Sequence, residues 1–485
     1  MTVISPWLGS AAAWFDQRQR LIWRILIVAL VLALSVGLAY DGSAKTLSAV
    51  LFGIPAAMIA LVCLRWPSLG PVLIIILGQV APFSLPTGTY TRLNPVILLT
   101  AWLLITWFLR MVVRREAGLY SYPSVSIAIL LALAVLVSLL VGQVHWYPIS
   151  AASLPAQLGG MAVFLISLGA MLSTAHQTQG LIWLQRMTYA VLAIGVLYLA
   201  SQLAWNISGR YLERFFTDGT LGSIFWVWLV ALAAGQLFFN VSLTLAQRAA
   251  HLLLIGVTFF LRVVVAGEWA SGWMPGILAL LVVGWGRYRR LGWFGLMLMI
   301  ALFLANINGL LVAVAGDGSG NLFPWEARTD AWQVVVKATM ANPLFGLGPS
   351  NYYHYVRLFP IQGWQQNWYV PFSSHNNYVD IFAQLGLVGL ALFVGLMLAL
   401  GRETWRLRLR VTDGFTRGYI YACLGGLIGS LFAGMLGDWF LPFVYNLGFA
   451  GMRSSIILWL FMGGMLVIKR HVDQADADAA LEITD

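Results

Sequence analysis

The stretch "SSHNNYVDIFAQLGLVGL", residues 373–390, opens with five polar residues and then becomes an apolar segment. Such a segment, continued to about residue 400, supplies the roughly 20 apolar residues that a membrane-crossing helix needs. A histidine flanked by serines and asparagines therefore stands at the mouth of a membrane helix. Gly386 and Gly389 lie one helical turn apart inside it. Small residues at that spacing let another helix backbone approach closely, so the segment is expected to be tightly packed.

The rest of the chain has the same character. Of 485 residues, 60% are apolar and 9% charged, against about 25% charged in soluble domains. The mean hydropathy is +0.83. The formal charge of +10 sits in short loops between apolar runs. That is the pattern of cytoplasmic membrane loops rather than of nucleic-acid binding. Cys63 and Cys423 both fall within apolar runs and read as buried thiols, with no disulfide framework or metal cluster. An apolar stretch after Arg18 and Arg20 lacks a small-residue cleavage site and reads as a retained first helix.

Candidate spans run approximately 22–40, 46–64, 68–83, 95–113, 124–144, 157–174, 182–204, 222–244, 250–267, 271–286, 291–315, 376–400, 415–437 and 444–468. Two are short, so twelve to fourteen transmembrane helices are expected, in an all-α polytopic integral membrane protein. Arginines cluster on alternate loops: Arg18, Arg20 and Arg24; Arg65; Arg110, Arg114 and Arg115; Arg287, Arg289 and Arg290; and Arg402 to Arg417. Strict alternation puts all of these on one side, with both termini cytoplasmic.

Residues 316–374 form a far longer connection, on the opposite, external side. "GDGSGN" leads in flexibly, Pro324 and Glu326 suit a helix start, and Asn342-Pro343 stops it. Trp325, Trp332, Val335, Val336 and Thr339 recur at helical spacing, predicting a short amphipathic helix at the membrane surface from which Arg328 projects. The chain thus divides into an N-terminal bundle (1–315), an external loop (316–374), C-terminal transmembrane helices (375–470) and an acidic cytoplasmic tail (471–485). The tail reads as loose, and its Asp476-Ala-Asp478 as a chance likeness to a metal-binding pair. Tyr352, Tyr353, Tyr355, Trp364, Trp368 and other rings of the loop suit headgroup anchoring, with sugar contact for a few.

Taken in order, Arg328 and Trp332, "NPLFGLG" (342–348) with Gly346 and Gly348, and His375-Asn376 followed by nine residues, Gly386, two residues and Gly389 make a set. This set resembles the O-antigen ligase and polymerase superfamily of bacterial envelope glycosyltransferases, most strongly over 325–392. The resemblance implies transfer of a glycan from a polyprenyl diphosphate carrier to a lipid or glycan acceptor hydroxyl at the external face of the bacterial inner membrane. It implies no cofactor and no metal. Departure of a diphosphate needs its charge compensated, and arginine grips phosphate oxygens while staying charged. Arg328 is the candidate for this role. His375 suits either removal of the acceptor proton or a hydrogen bond to the diphosphate.

Asp438, in "GMLGDWFLPF", lies where family members place an acidic residue and joins the catalytic set. Asn376, Arg357 and Trp332 join the candidate binding set. Arg453, inside the last span, is either functional or snorkelling. One departure stands out: many members carry a second essential arginine in a Ser-Arg dipeptide, where this chain has Ser271-Gly272-Trp273. Arg262, Arg210 and Arg214 are the candidate replacements. The acceptor separates ligase, polymerase and protein O-oligosaccharyltransferase, and the motif does not name it. Two rivals remain: an inactive scaffold, and a flippase of lipid-linked glycans. A flippase predicts a charged path and repeated halves, and this chain has no such repeat.

Overall fold

The structure is a computed structural model and describes residues 28, 44–87, 91–114, 118–204, 212–265, 270–305, 325–360, 369–412 and 414–482. The first expected span (22–40) apart from residue 28, Arg210, the lead-in 316–321, Pro324, Trp364 and Trp368 lie outside the described residues, as do the side chains of Trp325 and Glu326.

The described chain is almost entirely helical: α1 Ala44–Arg65, α2 Gly70–Val80, α3 Pro95–Arg114, α4 Pro123–Val141, α5 Leu154–Gln177, α6 Leu181–Leu203, α7 Ser223–Phe239, α8 Leu245–Phe259, α9 Ala270–Arg287, α10 Arg289–Ala305, α11 Trp325–Thr339, α12 Tyr352–Tyr355, α13 Asn377–Leu407, α14 Gly414–Leu436 and α15 Gly448–Glu482. A two-stranded hairpin pairs Leu85 with Leu93 and Pro86 with Arg92. Among the described residues, eight helices are long and apolar enough to cross a membrane, and three shorter helices are also apolar. The protein is an all-α polytopic membrane protein.

The bundle closes where side chains are small. α7, α9 and α14 pack extensively on one another, as do α5 with α15 and α4 with α13. A side chain added at Gly235 of α7 would overlap the carbonyl of Gly418 in α14, so these two backbones touch directly.

α15 is the most buried of the eight long apolar helices and carries Arg453 near its start and Arg470 seventeen residues on. Arg453 donates to the carbonyls of Gly78 (3.2 Å), Ala81 (2.7 Å) and Phe83 (2.9 Å) at the end of α2. Arg470 donates to Ala175 (3.4 Å) and Thr178 (2.8 Å) at the end of α5. The last carbonyls of a helix have no partner within it and attract cations. Seventeen residues separate the two arginines, roughly 26 Å along a helix and close to the ~30 Å of a hydrocarbon core. Arg453 therefore has a structural task at a helix end.

Two expectations are corrected. The tail is not loose: α15 continues to Glu482, and Arg410 bridges Asp473 (2.6 Å) and Asp476 (2.5 Å). Nor does the glycine pair of α13 receive a neighbouring helix. Gly386 adopts φ 68°, ψ −166° and breaks α13 in two.

The turn "NPLFGLG" fits into the break. Leu347 and Gly348 donate to the carbonyls of Ala383 (2.9 Å) and Gln384 (3.2 Å) that end the first half. The amides of Leu387 and Val388, which start the second, donate to Pro343 (2.8 Å) and Leu344 (3.1 Å). Ser138 of α4 adds a 2.6 Å bond to Gln384. A helix can be interrupted in a membrane only if its freed backbone groups are satisfied this way. Gly346 has φ 73°, and a side chain there would meet the backbone of Gln384 and Gly386.

Candidate active site

His375 stands between the loop and α13, at φ 49°. An L-residue seldom adopts that conformation, and the preceding residue holds it in place through every polar atom. The Ser374 amide donates to Tyr352 Oη (3.3 Å), and its carbonyl accepts from Trp332 Nε1 (2.8 Å). Ser374 Oγ bonds Asp380 Oδ1 (2.7 Å), the Asn376 carbonyl (3.0 Å) and the Asn376 amide (3.1 Å). Tyr352 Oη also donates to Asp380 Oδ1. Asn376 is the N-cap of α13, its Oδ1 accepting from Tyr378 N (2.9 Å) and Val379 N (3.3 Å). This is the ordinary work of asparagine at a helix start.

The loop has its own small core. Val335, Ala338, Leu347, Tyr352, Tyr355, Val356 and Phe443 are buried together. Tyr352 stacks on Phe443 with ring centroids 4.7 Å apart, and Tyr353 stacks on Tyr445 at 4.4 Å. These rings are packing and not headgroup anchors, whereas Phe345 and Tyr369 are exposed.

From α11, Arg328 reaches the end of α14, where Nη1 donates to the carbonyl of Leu436 at 3.0 Å. Asp438, two residues on, is buried at 1% exposure. Its Oδ2 accepts from Phe443 N (2.8 Å) and its Oδ1 from Asn446 Nδ2 (2.7 Å). The same Asn446 nitrogen lies 3.2 Å from His375 Nδ1.

These charges are near enough to act on one another. His375 is exposed at its surface, yet the protein packed around it desolvates the imidazole and pushes it below its ordinary pKa; Asp438 opposes the shift and Arg328 reinforces it. Burial likewise raises the Asp438 carboxyl, opposed by His375 and by the Phe443 and Asn446 donors. It lowers the Arg328 guanidinium.

Beside Asn446 opens a polar cavity of about 500 Å³, lined by Arg92, Thr217, Asp218, Tyr445 and Arg453 among others.

Arg328, His375 and Asp438, predicted from sequence, are thus brought together. Other candidates have different surroundings. Trp332 ties α11 to Ser374. Arg357 is exposed, with His354 as its electrostatic neighbour. Arg214 is exposed in the turn Glu213–Phe215. Arg262 is 1% exposed, its guanidinium 3.8 Å from the Trp226 ring centre and 3.4 Å from the Thr220 carbonyl. Asn446, Tyr352, Ser374 and Asp380 were not read as site residues. "NNYVD" does show the last of these as an acid just inside a membrane helix, a warning sign in itself.

No curated protein matches the chain. Residues 253–394, which contain α11, the "NPLFGLG" turn and the start of α13, match the family model Wzy_C, described as O-Antigen ligase, and the match supports the likeness to the O-antigen ligase superfamily.

Proposed function

We propose that the protein moves a glycan from a polyprenyl diphosphate carrier to an acceptor hydroxyl at the external face of the bacterial inner membrane. The family match supports an O-antigen ligase or polymerase type of membrane glycosyltransferase in general. The observation that carries the finer reading is the meeting of Arg328, His375 and Asp438 at one end of the bundle. Charge builds on the departing diphosphate, and fixed cationic donors in a partly desolvated site stabilise it with little reorganisation. A guanidinium carries five N–H donors. One of those on Arg328 Nη1 rests on Leu436, which aims the group. The cavity beside Asn446 is the place for the acceptor in this reading. Arginine-rich loops on the opposite side of the bundle support the sidedness. Loop 316–374, with the start of α13, carries the chemistry in this reading.

The test is transfer by the purified protein in lipid nanodiscs, using a fluorescent polyprenyl-diphosphate glycan, an excess chelator and a panel of lipid, glycan and peptide acceptors. Product formed despite the chelator is expected, and the acceptor consumed separates ligase, polymerase and protein glycosylation. No product with any acceptor, together with carrier movement between leaflets in vesicles, would make a flippase the better account.

A further inference from the structure

We propose that Asn446 is a positioning residue that fixes the tautomer of His375, with the proton on Nε2, so that the histidine meets its substrate as a hydrogen-bond donor and not as the base. The proposal rests on the glycosyl-transfer reading and assigns His375 one of its two open roles.

A single nitrogen, Asn446 Nδ2, stands 2.7 Å from Asp438 Oδ1 and 3.2 Å from His375 Nδ1. An amide NH2 has two protons and can serve two acceptors at once. Which end of an asparagine is nitrogen is decided by its neighbours, and here Asp438 decides it. The carboxyl is already ringed by donors: Phe443 N on Oδ2 at 2.8 Å, and the amide of Asp438 itself. Turning the Asn446 oxygen towards it would set acceptor against acceptor at a carboxyl that is itself buried, a costly arrangement although Asn446 is exposed. The nitrogen therefore faces Asp438, and His375 Nδ1 must accept from it. In a neutral imidazole the proton is then on Nε2.

The charged groups facing His375 are Asp438 and Arg328. Arg328 and burial both favour the neutral ring, in which this tautomer exists. The backbone fixes the remaining freedom: the His375 amide donates to Ser373 Oγ at 3.3 Å, and Ser374 is held as described.

An Nε2–H beside a guanidinium suits an anionic phosphate oxygen. In the transfer step the acceptor oxygen bonds to the anomeric carbon as the carbon–oxygen bond to the diphosphate breaks. The bonding pair leaves with the diphosphate, where Arg328 and His375 Nε2–H receive the charge. The hydroxyl proton passes to an oxygen of the departing diphosphate.

The experiment is nitrogen NMR of 15N-histidine-labelled full-length protein in lipid. The His375 signals are identified by difference from His375→Gln. At neutral pH the wild type is expected to show a protonated Nε2 and an unprotonated Nδ1. Asn446→Leu should lose this preference and give a mixture, and lower kcat by about 10²-fold, the usual cost of removing one preorganised donor, with KM changed only a few-fold. A wild-type His375 protonated on Nδ1, or a tautomer unmoved in Asn446→Leu, would overturn the proposal. If Asn446→Leu fails to fold, the wild-type spectrum alone decides. The spectrum needs no turnover, so absent transfer activity would sink the proposed function and leave this reading standing.

Discussion

His375 lies between a carboxyl that favours its charged form and a guanidinium that disfavours it, with partial desolvation by the surrounding protein added on the side of neutrality although the residue is exposed at its surface. The net direction is downward, so the ring stays neutral at pH values where an ordinary histidine, near 6.5, is half charged. If the neutral ring is the working form, activity falls only as pH drops through this lowered value. The acid limb of kcat/KM, which reports the free enzyme, should therefore lie below pH 6.5. Asp438→Asn removes the group that raises the value, so the limb of the residual activity moves to still lower pH. Arg328→Gln removes one that lowers it and moves the limb up. A shift of the opposite sign in either variant would contradict this arrangement.

At this scale the sequence was legible only in part. Arg328, Trp332 and His375 lie within one ordered run of motifs. Asp438 was placed by likeness to the family. Asn446 contacts His375 across seventy-one residues of chain, and no spacing rule connects such positions. Asn376 carries a plainer signal: asparagine just before an apolar run marks a helix cap, and its Oδ1 caps α13.

The element that decides the site is the broken helix α13. Two glycines a turn apart suggest helix–helix contact, and that inference was reasonable but wrong. Spacing alone does not disclose a positive φ, and the partner at Gly386 is an irregular turn. The sequence did hold the second half of the answer. "NPLFGLG" carries the proline and glycines of a tight turn, and it enters the break, supplying both acceptors and donors. A β-carbon at Gly386 would be strained by roughly 1–3 kcal/mol for its backbone region and would also overlap Leu344. Gly386→Ala should therefore lower the thermal midpoint in mild detergent by several degrees and reduce transfer, since the first half of α13 carries the anchor of His375. A variant with unchanged midpoint would mean that the break is not a fixed feature. Ser138→Ala is milder, costing about 1 kcal/mol for one hydrogen bond.

For the whole molecule, apolar runs and their lengths made the class of fold plain, because each span must satisfy its own backbone in lipid. The packing order was not legible, since membrane helices are apolar all round and no stripe points to a neighbour. That α15 is the most buried long helix could not be read from hydropathy. Its two terminal arginines are the nearest thing to a signal, and their role as caps for α2 and α5 emerges only in three dimensions. Arg453→Met would leave the carbonyls of Gly78, Ala81 and Phe83 without their charged donor. A loss on the order of 3 kcal/mol is expected for such a group, seen as earlier unfolding in detergent. Arg262→Lys should also destabilise, by about 1–2 kcal/mol, because a planar group stacked on Trp226 is not replaced by an ammonium.

The central claim is that Arg328 and His375 carry glycosyl transfer from a lipid diphosphate. The most direct measurement is the initial transfer rate in lipid nanodiscs for wild type, His375→Ala and Arg328→Ala, each first shown to be folded. The account predicts losses of at least about 10²-fold in both. Transfer at the wild-type rate in either variant would contradict it.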